Sequence, residues 1–307
     1  MSEIYDVAMV GAGPSALAAA IYTTREDLAT VLIEKGVIGG MIATADKVDN
    51  YPGFPDGIAG LDLAADFQAQ AERFGAEIRL GEVLKIERAE DLIKLTTDDG
   101  EISARAVLIA TGAGYKHIGI GGENEFAHYC ATCDGAFFKG KKLACIGGGN
   151  SAVQETLYLT KFASHIELLV RSHIKASAVL QDELKKAVEA EKITLRENWT
   201  PDEIVADGGQ TIGLRGHLTD SGAAQKVDCD GVFVFAGLKP NTDWLKNSVV
   251  ELTGRGLIKT DENLMTKLAG VFAAGDCRDG ATMQVAAAIG DGATAALKIR
   301  EYLTRNK

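Results

Sequence analysis

Cys130-Ala131-Thr132-Cys133-Asp134 sets two thiols at C-x-x-C spacing, with a carboxylic acid directly behind the second. Sulfurs so spaced close a small disulfide that opens and recloses by exchange with another thiol. The attacking form is the thiolate, so one cysteine has to be partly ionised near neutral pH. Asp134 admits two readings: protonated, it hands a proton to a leaving thiol; ionised, it raises the thiol pKa. A C-x-x-C is also half of a zinc site, but zinc takes four ligands. Cys145, Cys229 and Cys277 are scattered, and no His falls at matching spacing. The pair therefore reads as redox-active, no metal is expected, and the other three cysteines read as buried. The His residues suggest no role.

Two glycine-rich turns flank this pentad. The first, Gly11-Ala12-Gly13-Pro14-Ser15-Ala16, follows an apolar run at 5–10 and opens an Ala-rich helix; a second strand, 30–33, ends on Glu34. The other, Gly147-Gly148-Gly149-Asn150-Ser151-Ala152, follows an apolar run at 143–146. It opens a helix reaching about Phe162, then a strand at 166–170. Each is a strand–turn–helix–strand unit, the context in which a G-x-G-x-x-G/A turn holds a dinucleotide pyrophosphate on a helix N-terminus. Glu34 would accept ribose hydroxyls and repel a 2′-phosphate, which suits FAD or NAD. The second unit lacks that acid; Arg171, Ser172 and Lys175 suit a 2′-phosphate, so NADPH fits better than NADH. A strand at 270–276 ends on Gly275-Asp276, and an Ala- and Gly-dense helix is expected around 284–297. Its small residues allow close approach to a flat ring or phosphate, or simply tight helix packing.

These groups sit on a chain of 307 residues with 46% hydrophobic and 24% charged content, ordinary for a soluble globular protein of two domains. The net charge of −11 disfavours non-specific binding to nucleic acid or an anionic membrane. The amino terminus, Met1-Ser2-Glu3-Ile4-Tyr5-Asp6, carries no basic and apolar leader, and no apolar run approaches the ~20 residues that span a bilayer. A cytoplasmic protein is expected, and a reducing compartment favours a redox role for a close cysteine pair. The fold class is α/β, with two Rossmann-like, doubly wound, three-layer nucleotide-binding domains, the second inserted into the first. Strand exits at 107–112 and 231–241 place the first domain at 1–113 plus 239–307 and the inserted domain at 114–238.

Together these residues resemble the low-molecular-weight bacterial and archaeal thioredoxin reductases. The likeness runs from Tyr5 to about Leu303, through Gly11–Ala16, Gly39-Gly40, Asn50-Tyr51-Pro52-Gly53, Ala110-Thr111-Gly112, the Cys-Ala-Thr-Cys-Asp box, Gly147–Ala152 and Gly275-Asp276. It implies a homodimer that passes electrons from NADPH through FAD and the Cys130–Cys133 disulfide to thioredoxin or a thioredoxin-like protein. It implies that FAD lies against Gly11, Gly13, Pro14, Ser15, Glu34, Gly39, Gly40 and Met41. Asn50, Ala110, Thr111, Gly112, Gly275, Asp276, Gln284 and Val285 complete that set. NADPH would lie on Gly147, Gly149, Asn150, Ser151, Ala152, Arg171, Ser172 and Lys175. Cys133 would face the flavin, Cys130 would attack the partner, and Asp134 would give or take the proton.

Four departures from the family pattern bear on the electron donor. Met41 stands where the family has Gln, the His-Arg-Arg-x-x-x-Arg phosphate box is reduced to Val170-Arg171-Ser172 with Lys175, and Arg-Gln-Ala reads Met283-Gln284-Val285. The stretch before Tyr129-Cys130 is also shorter. Ferredoxin or another carrier as donor, or a dithiol oxidase passing electrons to oxygen, therefore stay open, with a nucleotide-binding regulatory protein as the non-enzymatic alternative. With one C-x-x-C and no second pair to relay electrons, the same sulfurs must reach a buried flavin and then a partner protein. That requires rotation of the inserted domain about hinges near 112–115 and 237–241.

Overall fold

The computed structural model describes residues 4–45 and 47–306. Met1, Ser2 and Glu3, on which part of the leaderless reading rests, lie outside them. The chain divides into two compact units, Met1–Gly114 with Lys239–Lys307 and Tyr115–Leu238.

In the first unit β1 (Ile4–Val10) passes through the glycine turn to α1 (Pro14–Thr24) and β2 (Thr30–Glu34). Next come α2 (Gly60–Arg73), β3 (Glu77–Leu80), β4 (Val83–Ala89), β5 (Leu92–Thr97), β6 (Gly100–Ile109) and, reaching the boundary, β7 (Ala113–Tyr115). The second unit holds α3 (Glu123–Phe126), β8 (Ala127–His128), α4 (Ala131–Asp134), β9 (Lys142–Ile146), α5 (Asn150–Leu159) and β10 (His165–Val170). It continues with α6 (Ala178–Glu189), β11 (Ile193–Glu197), β12 (Trp199–Asp207), β13 (Gln210–Leu218), β14 (Ala224–Val227) and β15 (Gly231–Val234). β16 (Leu238–Pro240) crosses back, and β17 (Val271–Ala273) and α7 (Val285–Arg305) complete the first unit.

The main sheet of the first unit runs β3-β2-β1-β6-β5-β4. β1, β2, β3 and β6 are parallel, β5 and β4 antiparallel, and β17 pairs with β6 beyond the point where β5 leaves it. Because successive strand residues point to opposite faces, Val7 and Met9 pack with α1 and α7, while Ala8 and Val10 pack with β4, β5 and the 245–258 segment. Burial on both faces is why these strands read as continuous apolar runs. At Gly292 the packing reading holds, since a Cβ there would lie 2.1 Å from Ser15 O, whereas a Cβ on Gly290 would meet nothing within 4 Å.

The second unit repeats the winding. Its parallel sheet runs β11-β10-β9-β15-β8, with Ala152, Val153 and Leu184 of α5 and α6 on one face. Trp199, Ile204, Leu214 and Val227 of the antiparallel sheet β12-β13-β14 cover the other. In each unit the strand order reverses beside the first strand, at β1/β6 and at β9/β15. That reversal opens a crevice at the carboxyl ends of the strands, the usual ligand position in such sheets.

Candidate functional site

The redox turn is built on α4. Cys130 is its extended N-cap and is joined to Cys133 by a disulfide. The Cys133 N–H donates to Cys130 Sγ at 3.2 Å, and the Thr132 hydroxyl lies 3.4 Å from the same sulfur. The Asp134 N–H closes the turn on the Cys130 carbonyl at 3.1 Å. Two side chains outside the pentad hold it. Glu155 of α5 accepts the Ala131 N–H at 3.0 Å; burial pushes its carboxyl above the usual range, opposed by that N–H. His128 of β8 sets Nδ1 3.0 Å from Asp134 Oδ2, its ring flanked by Phe138 and Phe233. The three remaining thiols are buried, and burial pushes Cys145 and Cys229 up to about 12 and Cys277 up to about 11.

The segment leading into Cys130 is tied by Glu123. This buried carboxylate accepts the N–H groups of Ile118 at 2.9 Å, Gly119 at 2.7 Å and Ile120 at 3.3 Å, and the Tyr129 hydroxyl at 3.0 Å. Tyr129 in turn stacks on Tyr115 with ring centroids 4.7 Å apart.

In the first unit, Gly11 turns the chain at the β1/β6 reversal with φ +101°, and a Cβ there would meet the Ala110 carbonyl at 2.6 Å. Only glycine fits such a turn. Gly13, by contrast, caps α1 with ordinary extended geometry, and a Cβ on it would meet nothing within 4 Å. Pro14 begins the helix and Ser15 follows it, buried. Glu34 Oε2 accepts the Ala12 N–H at 2.7 Å, and the Gly39 N–H donates to Ala12 O, so the fingerprint, Glu34 and Gly39-Gly40 meet at one corner. Asn50 Nδ2 donates to Gln284 Oε1 at 3.0 Å, joining residues far apart in the chain, with Val285 opening α7.

Ala110, Thr111 and Gly112 leave β6 beside this corner, and Gly275-Asp276 leaves β17 next to them. Thr111 Oγ1 and Asp276 Oδ1 are buried without a hydrogen-bond partner. Burial, then the Asp291 carboxylate, pushes Asp276 up to about 6. Asp291 itself is held by a bidentate bridge from Arg278 and by the Gly275 N–H. Open space over Gly13, an acid on β2 and two orphaned polar atoms fit a dinucleotide bearing phosphates and hydroxyls. Met41 and Met283 are exposed.

The second unit has the same arrangement. Gly147, φ +145°, lies at the β9/β15 reversal where a Cβ would meet the Phe235 carbonyl at 2.8 Å, while a Cβ on Gly149 would meet nothing within 4 Å. Asn150 and Ser151 begin α5, and Ala152 is buried beneath the turn. The Lys175 N–H donates to Gly148 O at 2.7 Å, and Asn150 Oδ1 accepts the Ser177 N–H at 2.7 Å. These bonds bring the loop carrying Arg171, Ser172 and Lys175 onto the fingerprint. The absent strand-end acid has a neighbour in its place: Glu197, paired with Val170 across β10 and β11, accepts the Ile174 N–H at 2.9 Å.

Glu123, His128, Glu155 and Glu197 were not legible as site residues. His128 and Asp134 lie on different elements, β8 and α4, so no helical or strand spacing links them, and the other three accept backbone N–H groups that any sequence supplies.

Residues 5–292 match the family of pyridine nucleotide-disulphide oxidoreductases. The chain is 40% identical over 310 residues to a thioredoxin reductase of Listeria monocytogenes serovar 1/2a, covering 99% of this chain and 96% of that protein. It is 39% identical over 310 residues to a thioredoxin reductase of Bacillus subtilis strain 168, with the same coverage of 99% and 96%. The crystal structure of thioredoxin reductase from Streptococcus pyogenes MGAS5005 superposes with a TM-score of 0.92 at 34% identity, covering 99% of this chain and 100% of that one.

Proposed function

The chain belongs to the pyridine nucleotide-disulphide oxidoreductases, among the low-molecular-weight thioredoxin reductases, and on that premise we propose that it reduces the disulfide of thioredoxin or a thioredoxin-like protein. FAD would be held in the first unit by the corner of Gly11, Gly13, Glu34, Asp276 and Gln284, and NADPH on the Gly147–Ala152 turn with Arg171, Ser172 and Lys175. When bound, FAD supplies the two-electron step between nicotinamide and disulfide.

The observation that carries this reading is the Cys130–Cys133 disulfide with the Cys133 N–H on Cys130 Sγ. Once the pair is reduced, that N–H and the Thr132 hydroxyl stabilise negative charge on Cys130, making it the thiolate that attacks the partner disulfide. Cys133 then closes on Cys130 and releases the reduced partner, with Asp134 beside it to move the proton. The hydrogen bonds to Cys130 Sγ support that division of labour. One disulfide serving both flavin and partner supports rotation of the second unit about its two crossings, each a short strand, β7 and β16. Crosslinking the units should stop turnover.

A homodimer and a reducing, cytoplasmic setting belong to the same reading. Three buried unpaired thiols suit such a compartment, and among the described residues no helix is long and apolar enough to cross a membrane.

Glu197 favours a second reading of the donor. A carboxylate on the Ile174 N–H, within the loop that carries Arg171 and Lys175, weakens the preference for a 2′-phosphate, so another donor such as ferredoxin competes with NADPH. Anaerobic stopped-flow reduction of the flavin by NADPH, NADH, reduced ferredoxin and a dithiol, followed by thioredoxin turnover, tests both. Rapid bleaching by NADPH and loss of turnover in Cys130→Ser support the proposal. A protein that binds no FAD, or a serine variant with full activity, refutes it.

A further inference from the structure

We propose that His128 is a positioning residue for disulfide exchange, holding the Asp134 carboxylate in place and storing the proton that the exchange moves. The inference rests on the reading of Cys130 and Cys133 given above.

The two members of the pair are fixed independently. Asp134 is the last residue of α4, and its N–H is bonded to the Cys130 carbonyl, so it moves with the redox turn. His128 lies on β8, in register with Phe233 of β15. Its ring meets Phe138 edge-on at 4.8 Å and Phe233 at 5.2 Å, which confines its rotation. Nδ1 then lies 3.0 Å from Asp134 Oδ2, with side-chain exposures of 34% and 28%. With Asp134 ionised, the contact places the ring proton on Nδ1 and leaves the lone pair of a neutral ring on Nε2. The pair accepts one proton there without protonating the carboxylate. β15 and the turn Gly135–Phe138 offer His128 only aromatic rings, α4 offers Asp134, and α5 brings the Glu155 carboxyl to Ala131 of the same turn.

The exchange needs such a store. Cys130 Sγ forms a bond to one partner sulfur as the partner S–S bond breaks, and the leaving thiolate takes up a proton. Cys133 S–H then gives up its proton, Cys133 Sγ bonds to Cys130 Sγ, and the Cys130–partner bond breaks. That last cleavage leaves the partner's second sulfur as a thiolate, so two electrons and one proton pass from the Cys130 thiolate and Cys133 thiol to the partner. The charge of an ionised Asp134 carboxylate opposes a thiolate nearby. With an imidazolium beside it the pair is electrically neutral, so the proton is carried without that opposing charge. Proton loss from Cys133 and proton gain by the partner then share one carrier.

The test uses the purified FAD-loaded protein, reduced with a dithiol, so it needs neither NADPH nor thioredoxin. The alkylation rate of Cys130 and Cys133 by iodoacetamide is followed against pH in wild type, His128→Gln, Asp134→Asn and the double variant. In His128→Gln the pH midpoint should move by about one unit, roughly tenfold in rate near the midpoint, with unchanged flavin content and urea midpoint. The double variant should match Asp134→Asn, because the two residues act as one unit. A wild-type profile in His128→Gln, or effects that add in the double variant, overturns the proposal. Should the variant not fold, 15N-histidine NMR of the wild type decides. A neutral Nδ1–H tautomer whose titration midpoint moves on disulfide reduction supports the inference, and an Nε2–H tautomer or an unmoved midpoint refutes it. Wild-type thiol chemistry at Cys130 with no donor or partner turnover would instead count against the function proposed above.

Discussion

Replacing Glu123 by Gln keeps the shape of a buried side chain and removes its charge. The carboxylate receives the N–H groups of Ile118, Gly119 and Ile120 and the Tyr129 hydroxyl. A glutamine oxygen accepts at most two of these donors well, and its NH2 group faces the rest. The hydrogen bonds that are lost are to a charged acceptor, worth about 1.5–3 kcal/mol each, and relaxation returns part of the loss. The net destabilisation of the second unit should be about 2–4 kcal/mol. The pH dependence follows from the same contacts. Burial pushes the Glu123 carboxyl up, and the three N–H groups with the Tyr129 hydroxyl push it down by more, leaving it below the ordinary value of 4.5. Its stabilisation is therefore complete above the ordinary carboxylate range and disappears as pH falls through the lowered value. Urea unfolding read by the buried Trp199, in a Trp244→Phe background, measures the gap between wild type and Glu123→Gln at pH 7 and at pH 4. Amide exchange at Gly119 reports the same loss locally. Coincident curves at pH 7, or a gap that widens in acid, would refute the reasoning.

Gly13→Ala should leave the FAD-free fold intact and weaken FAD retention at least tenfold, whereas Gly11→Ala, which meets the Ala110 carbonyl at positive φ, should destabilise the fold itself by about 1–3 kcal/mol. Thermal melts with FAD titrations distinguish the two, and equal losses of stability would contradict the assignment. Asp276, raised to about 6 by burial and then Asp291, favours the folded FAD-free protein in its protonated form and costs stability as pH rises through that value. FAD-free Asp276→Asn should thus melt higher than wild type at pH 8 and nearly with it at pH 4, the order at pH 8 reversing once FAD is added. Because burial pushes Cys145 and Cys229 up to about 12 and Cys277 up to about 11, alkylation of the native reduced protein at pH 8 should mark Cys130 and Cys133 alone. Mass-mapped label on any of the other three would show that these thiols open to solvent.

What the residues determined on their own was local. A glycine turn between an apolar run and a helix has one conformation to adopt, so both fingerprints, the strand ending on Glu34 and the disulfide across Ala131-Thr132 were legible from short spacings. The antiparallel strands β4, β5 and β12 to β14 were not, because their side chains are identified by the sheet face they cover, not by a turn motif. The α7 glycines were equally ambiguous until Ser15 lay against Gly292. Only the tertiary structure set Gln284 on Asn50, Glu197 on the loop of Arg171, and His128 on Asp134. Asn50 and Gln284 are 234 residues apart, His128 and Glu197 are placed by pairing of β8 with β15 and β11 with β10, and a hydrogen bond of about 3 Å carries no trace in residue spacing. The chain thus announces its redox pair, while the fold chooses the groups that hold the turn.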